Sequence, residues 1–353
     1  MKVAALGYYG FENLGDEAVL AGIRAALKAE RTFDDAQFLV LSNAPGSTES
    51  FHPGVVAANR WKWGEAARAL SGTDLFILGG GSLLQDATSV KSVLWYALMA
   101  RIARAKSRRV LWWGQGIGPL QSNVSRFLVR HIANEADALT VRDEKSAELL
   151  KAIGATGSIE VVADPAFALS PESPAASDPS VAAESVVFAL RRWRGTDATL
   201  IDSLKQYHAT IGAGWCLPMH QPEDAEYMRG IFGPAHIRDW RGAGGIEGVL
   251  GEIGVSRLVV AMRLHALIFA ARCGVPFVAL SYDPKVDALA KAAGQEDALL
   301  SVNDTSLTRE RLSETIARVR DTSTRRRTTL NEFATIQGGR AIRPATIAAE
   351  LLS

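Results

Sequence analysis

The feature that most constrains this fold is an alternation. Short aliphatic runs, "KVAAL", "QFLVLS", "DLFILGGG", "RVLWWGQG", "ALTVRD" and "IEVVADPA", recur along the first half, most with helix-period segments between them. An apolar run without polar alternation suits a strand covered on both faces, and a helix between strands is the crossover that a parallel sheet needs. The alternation breaks at "LSPESPAASDPSVAAES", rich in proline and serine, and resumes with "VVFALR", "WCLPMH", "HIRDW", "RLVVAM" and "FVALSY". At 353 residues the chain is long for one core. The expected architecture is therefore α/β: two Rossmann-like domains with parallel sheets, residues 1–170 and 185–335. A linker over 171–184 joins them, and 336–353 form a C-terminal helical segment. In such folds ligands gather at the carboxyl ends of the strands, here in a cleft between the domains.

Composition narrows the class. The net charge is +1, which gives no global field for nucleic acid. Cys216 and Cys273 are the two cysteines and neither lies in a CxxC. A zinc site or disulfide framework is not expected, and a reducing compartment fits. "MKVAALGYYG" opens a strand and lacks a secretory h-region, and no run approaches the roughly 18 apolar residues of a membrane span. The expected location is cytoplasmic. "VKSVLWYALMARIARAKSRRV" mixes apolar and basic residues. It reads as a core-packed helix with a solvated basic end, or as a peripheral contact with an anionic membrane at its inner face.

Several strand ends carry unusual chemistry. "GYYGFENLGDEAVL" follows the first strand, with a helix expected from about Asp16. Gly7, Gly10 and Gly15 allow a flat loop there. Asn13 and Asp16 can bond sugar hydroxyls or cap the helix, while Tyr8, Tyr9 and Phe11 offer aromatic faces. "GGGSLLQD" brings Gly80 and Gly81, and "GQGIGPL" brings Gln115 between two glycines. Each reads as a loop whose backbone N–H groups face a ligand at a helix N-terminus. In "RLVVAMRLHALIFAARCG", Arg263 and His265 end a strand and open a helix, and Lys285 follows the next strand in "FVALSYDPK". Arg142 follows "ALTV", Arg191 follows "VVFAL" and His220 ends "WCLPMH". A lone arginine or histidine at such a place is usually paired with a carboxylate or satisfied at a core edge. Several at successive strand ends argue for a polyanionic ligand, phosphate plus carboxylate.

Taken together, "GYYGFENLGDEAVL", "GGGSLLQD", "GQGIGP", "VRD", "ADPA", "LPMH" and "AMRLHALIFAARCGVPFVALSYDPKV" resemble the polysaccharide pyruvyl transferase family, CsaB-type. The resemblance runs from Lys2 to about Leu289. It implies a GT-B-like fold and transfer of an enolpyruvyl unit from phosphoenolpyruvate to two sugar hydroxyls, forming a pyruvate ketal. The implied acceptor is an N-acetylmannosamine residue of a lipid-linked cell-wall precursor, whose polymer anchors S-layer homology proteins. The strand-end cations Arg142, Arg191, Arg263, Lys285 and His220 suit that anionic donor, and His265 is the candidate for proton transfer. In a GT-B-like arrangement the N-terminal face would hold the acceptor, at Tyr8, Asn13, Asp16, Gly80, Gly81 and Gln115. Phosphoenolpyruvate is a co-substrate, and neither a resident cofactor nor a metal is implied. The family usually has glycine where this chain has Glu12, so a strained backbone is expected there if the turn needs positive φ.

Two other readings use the same residues. A GT-B glycosyltransferase would bind a nucleotide sugar, with Glu247 of "RGAGGIEGVL" as a ribose partner. A non-catalytic sugar-binding protein could keep the scaffold, although lectins need few fixed cations. The oligomeric state is left open by the sequence.

Overall fold

The computed structural model describes residues 1–87, 89–170, 185–194, 198–242, 244–304 and 307–353. The expected linker over 171–184 lies outside the described residues. The chain divides into two compact units, Met1–Leu169 with Gln337–Ser353, and Ser170–Ile336.

The first unit is built on a parallel sheet of β1 (Lys2–Leu6), β2 (Gln37–Ser42), β3 (Val55–Asn59), β4 (Thr73–Leu78), β6 (Ser107–Ile117), β7 (Ala138–Val141) and β8 (Ile159–Val161). The order is β3-β2-β1-β4-β6-β7-β8, and a short β5 (Gly81–Leu84) pairs with β6. The continuous apolar runs serve two cores at once. Val3 and Ala5 of β1 join Ile77 and Leu111 on one face, against Val19 and Ile23 of α1 (Leu14–Lys28) and Ala345 and Ala348 near the C-terminus. Ala4 and Leu6 join Phe76 and Trp112 on the other. That second face is covered by α3 (Trp63–Leu70), α4 (Val90–Lys106), α5 (Asn123–Asn134) and α6 (Glu144–Ala152), through residues such as Leu70, Val93, Val129 and Leu150. The period-2 geometry of a strand makes this division automatic. The short α2 (Pro45–Phe51) packs beside β3.

The second unit holds β9 (Val186–Ala189), β10 (Gly214–Cys216), β11 (Leu258–Ala261), β12 (Phe277–Ser281) and β13 (Leu299–Ser301). They are parallel in the order β10-β9-β11-β12-β13. Helices α7 (Ala198–Ile211), α8 (Glu223–Phe232), α9 (Gly245–Gly254), α10 (Leu264–Arg272), α11 (Pro284–Ala292) and α12 (Arg309–Asp321) follow in chain order. The final α13 runs Ser323–Leu352, and its residues from Gln337 onward belong to the first unit.

Three local expectations change. "HIRDW" is not a strand: Pro234–His236 form a 3-10 turn and Ile237 makes a single bridge to Cys216. Gly81–Leu84 is not a loop leading into a helix but a strand on β6, with α4 beginning nine residues later at Val90. Gly114, Gln115 and Gly116 likewise lie inside the 11-residue β6. In each case pairing with a neighbour decides the backbone, and a local glycine count cannot see the neighbour.

Candidate active site

The first helix begins at Leu14 rather than Asp16, capped by Asn13, whose Oδ1 accepts from the Gly15 N–H at 3.1 Å. Of the two roles open to Asn13, capping is therefore in use. Glu12 just before it has φ 58°, the strained conformation expected where the family has glycine. Glu17 is buried, accepting from the Gly10 N–H at 2.8 Å and pairing with buried His52 at 2.9 Å, which pins the loop from both ends.

The aromatic residues of this loop divide. Tyr8 is 36% exposed and stacks on Phe11 with centroids 4.0 Å apart, an aromatic pair at the surface of this loop. Tyr9, expected as a second such face, is fully buried. Its ring fills the space over Gly7, and its hydroxyl lies against Gly79, where a methyl group would collide. The glycines of "LGYY" and "LGGG" thus serve partly to admit a core tyrosine. Burial pushes the Tyr9 hydroxyl far above its ordinary range, reinforced by the negative charges of Asp16 and Glu17.

Around this helix start the glycine segments converge. A methyl on Gly81, whose φ is +97°, would sit 3.3 Å from Asp16 Oδ1, and one on Gly80 would meet Pro165 at 2.9 Å. A methyl on Gly116 would meet the Arg142 guanidinium at 2.6 Å. Arg142 was expected among the donor cations. Its guanidinium is nearly buried within the first unit, 3.4 Å from Asp164 Oδ2, 3.6 Å from Asp143 Oδ2, and donating to Ser82 Oγ at 2.9 Å. Gln115 was expected to face the acceptor, but its side chain is fully buried and its amide donates to the Leu78 carbonyl at 3.1 Å. Asn13, Asp16, Gly80, Gly81 and Arg142 therefore meet in one place, and Gln115 helps build the floor.

In the second unit the cations stand at neighbouring strand ends. His220, Arg191, Arg263 with His265, and Lys285 follow β10, β9, β11 and β12, which is the order of those strands across the sheet. Arg263 N-caps α10, His265 lies in its first turn, and Lys285 lies in the first turn of α11, capped by Asp283. Helix N-termini and cations thus face the same edge. Arg263 is not unpaired: it donates from Nε and Nη2 to buried Asp224 at 2.8 and 2.5 Å. Asp224 also accepts from the His220 N–H at 3.0 Å, and His220 Nδ1 lies 2.8 Å from Glu223. A fixed carboxylate therefore orients the arginine. Arg191 donates from Nη1 to Tyr282 Oη at 3.0 Å and lies over the Tyr282 ring, while its buried Nε has no partner among the described residues. The Arg263–Asp224 and Arg191–Tyr282 contacts join residues 39 and 91 positions apart, so sequence reading marks the cations and misses what holds them. Glu247 lies in the first turn of α9, after Gly244 and Gly245 with φ near 79° and 72°.

Two parallel α/β units with cationic strand ends define the fold as a pair of Rossmann-like domains. Solved structures agree. The chain aligns with a putative UDP-N-acetylglucosamine 2-epimerase of Listeria monocytogenes at TM-score 0.62 and 14% identity, over 99% of this chain and 95% of that one. It aligns with the UDP-GlcNAc 2-epimerase of Methanocaldococcus jannaschii at 0.61 and 14%, over 99% and 100%. HepE of Anabaena, crystallised with UDP-glucose, aligns at 0.58 and 15%, over 100% and 99%. At such identity the likeness is one of fold, a GT-B-like pair of Rossmann-like domains. The polysaccharide pyruvyl transferase model matches residues 13–284, and the chain belongs to that family. No curated protein matches it.

Proposed function

We propose that this transferase uses phosphoenolpyruvate to build a pyruvate ketal on a cell-wall glycan precursor. The observation that carries the reading is the row of His220, Arg191, Arg263 with His265, and Lys285 along adjacent strand ends of one sheet. Phosphoenolpyruvate carries a phosphate and a carboxylate. Arg263, oriented by Asp224, and Arg191, with an Nε donor still to spend, suit planar two-point recognition of such groups. Lys285 adds a point charge beside the α11 N-terminus. Arg142, balanced by Asp164 and Asp143, is better read as a scaffold of the first unit, where Tyr8, Asn13 and Asp16 attend the acceptor.

The chemistry needs two proton movements. The methylene carbon of the donor gains a proton while the first sugar hydroxyl bonds to C2. The C2–O bond to phosphate then breaks, the second hydroxyl closes the ketal, and its proton leaves with phosphate. His265, in the first turn of α10 beside Arg263, carries an imidazole, which can both give and take a proton, and is the residue assigned these transfers. No membrane-spanning helix is present among the described residues, so a lipid-linked acceptor of N-acetylmannosamine type would be met at a bilayer surface. Its ketal would serve the anchoring of S-layer homology proteins.

The test is phosphate release from phosphoenolpyruvate with a synthetic lipid-linked ManNAc-GlcNAc acceptor. Release that depends on the acceptor, with mass spectrometry showing a ketal product, is expected. Turnover of a UDP-sugar with the same acceptor, and none of phosphoenolpyruvate, would replace this reading with a glycosyltransferase.

A further inference from the structure

The chain is balanced in charge overall, yet residues 87–134 contain no aspartate or glutamate and carry eight cations, Lys91, Arg101, Arg104, Lys106, Arg108, Arg109, Arg126 and Arg130. This stretch supplies α4 and α5, which pack side by side on one face of the first sheet. The same two helices expose apolar side chains: Leu94 is 52%, Val124 57% and Phe127 55% accessible. The exposed face is continuous. Arg101 of α4 touches His131 of α5, and the His131 ring stacks on Phe127 with centroids 6.0 Å apart. Arg130 lies over the Phe127 ring, 5.6 Å from its centroid. Beside them a groove of about 350 Å³ runs between α5 and α6, with Leu149, Ala152 and Ile153 as its apolar wall and Arg126 and Arg130 at its rim. Arg101, Arg104 and Arg109 are partly offset by Glu135 and Asp137. Lys91, Arg126 and Arg130 pair with no carboxylate among the described residues.

We infer that the α4–α5 face docks on an anionic lipid bilayer, with Leu94, Val124 and Phe127 entering the headgroup boundary and Lys91, Arg126 and Arg130 meeting lipid phosphates. Exposed apolar residues rimmed by unpaired cations, with no carboxylate on either helix, match the interfacial type of amphipathic surface. A second copy of this chain fits poorly, since a two-fold contact through this face sets cation against cation. A nucleic acid would leave Val124 and Phe127 unused. The surface is distinct from the strand-end residues, so the inference stands whether or not the proposed reaction is right.

The experiment is flotation of the full chain with vesicles of phosphatidylcholine alone and of phosphatidylcholine with phosphatidylglycerol. Binding is expected only to the anionic vesicles and should fall as salt rises. Arg126→Glu with Arg130→Glu should weaken vesicle binding roughly tenfold or more. Val124→Ser with Phe127→Ser should weaken it at every salt concentration, because that contribution is apolar. Circular dichroism and the thermal shift caused by phosphoenolpyruvate should match wild type in both variants, since all four side chains are on the surface. Equal binding to neutral and anionic vesicles, no binding to either, or wild-type binding by both double variants would overturn the inference. So would loss of vesicle binding accompanied by concentration-dependent self-association through the same face.

Discussion

A methyl group at position 79 has nowhere to go, because Tyr9 Oη already lies there and Tyr9 Cζ is 3.2 Å from the site. Tyr9 is fully buried, and its hydroxyl has no hydrogen-bond partner among the described residues. Removing an unsatisfied buried hydroxyl costs little and can stabilise, whereas forcing a contact in a close-packed core costs about 1–3 kcal/mol. Tyr9→Phe should therefore leave the thermal midpoint unchanged or raise it, and Gly79→Ala should lower it. The double variant should recover much of the loss, since the clashing atom is gone. Simple additivity of the two single effects in chemical denaturation would show that Tyr9 does not set the glycine requirement. The second residue-scale question is His265. Under the proposed function, His265→Gln keeps a donor but shuttles no proton, so turnover should fall about 10²–10⁴-fold with the donor constant nearly unchanged. Full turnover at saturation with weakened donor binding would make His265 a ligand only. Arg263 needs a different control. Truncating it leaves the buried Asp224 carboxylate without its partner, which costs about 3–5 kcal/mol of stability in its own right. Under the proposed function, Arg263→Ala with Asp224→Asn separates this cost from a loss of donor binding: stability should return while donor binding stays weak. The glycines and cations were legible in the sequence as residue types. The tyrosine that explains Gly79 and the carboxylate that holds Arg263 were not, because each contact depends on a fold that brings distant segments together.

At the scale of elements, the turn into α1 carries both a cap and a strain. Asn13→Ala removes the side-chain acceptor for the Gly15 N–H and should cost about 1 kcal/mol of stability. Under the proposed function it should also weaken acceptor binding without altering donor affinity. Calorimetric titration of each ligand separately checks this, and an unchanged acceptor constant would leave Asn13 as a cap alone. Glu12→Gly acts in the other direction. Relieving φ 58° gains roughly 1–2 kcal/mol, partly offset by the extra freedom that glycine brings to the unfolded chain. A rise in thermal midpoint of a few degrees is expected, with the exposed 3.3 Å contact to Ser47 contributing little. The strands flanking this turn were readable because their apolar runs must satisfy two cores. The same logic failed at Gly81–Leu84, where four residues become a strand through β6 alone. It failed again at "HIRDW", where apolar spacing suggests a strand and Pro234 with a single bridge to Cys216 does not sustain one.

At the scale of the whole molecule, chemistry and connectivity each leave a measurable trace. Burial pushes the thiol of Cys216 up to about 12, while an unfolded thiol ionises near 9. A raised native value favours the folded state below the unfolded pKa and loses that contribution as pH rises toward 12. Stability should therefore decline from about pH 9 upward, by at most about 1.4 kcal/mol per pH unit from this group, and Cys216→Ala should flatten the slope. The larger whole-molecule feature is the return of the chain's end to its beginning. Ala341, Ala345 and Ala348 of α13 are buried, the last two among Val3, Val40 and Ile77 of the first core. Arg109 donates to the Leu351 carbonyl at 2.9 Å across 242 residues, Arg343 bonds Glu160 at 3.0 Å, and Thr346 bonds Glu30 at 2.8 Å. A helical segment at 336–353 could be read from its period, but not its destination, since nothing local to those residues names a partner near position 3. Ending the chain after Ile336 would strip Ala345 and Ala348 from the face of the first sheet that they cover beside α1, while Leu330 and the Arg326–Asp297 pair of the second unit stay in place. The truncated protein should show hydrogen exchange throughout β1, β2 and β4 at rates near those of an unfolded chain, with β11 and β12 still protected. A synthetic peptide of 337–353 added in excess should restore protection to β1. Native protection of β1 in the truncated chain without the peptide would mean that α1 alone suffices to cover that face.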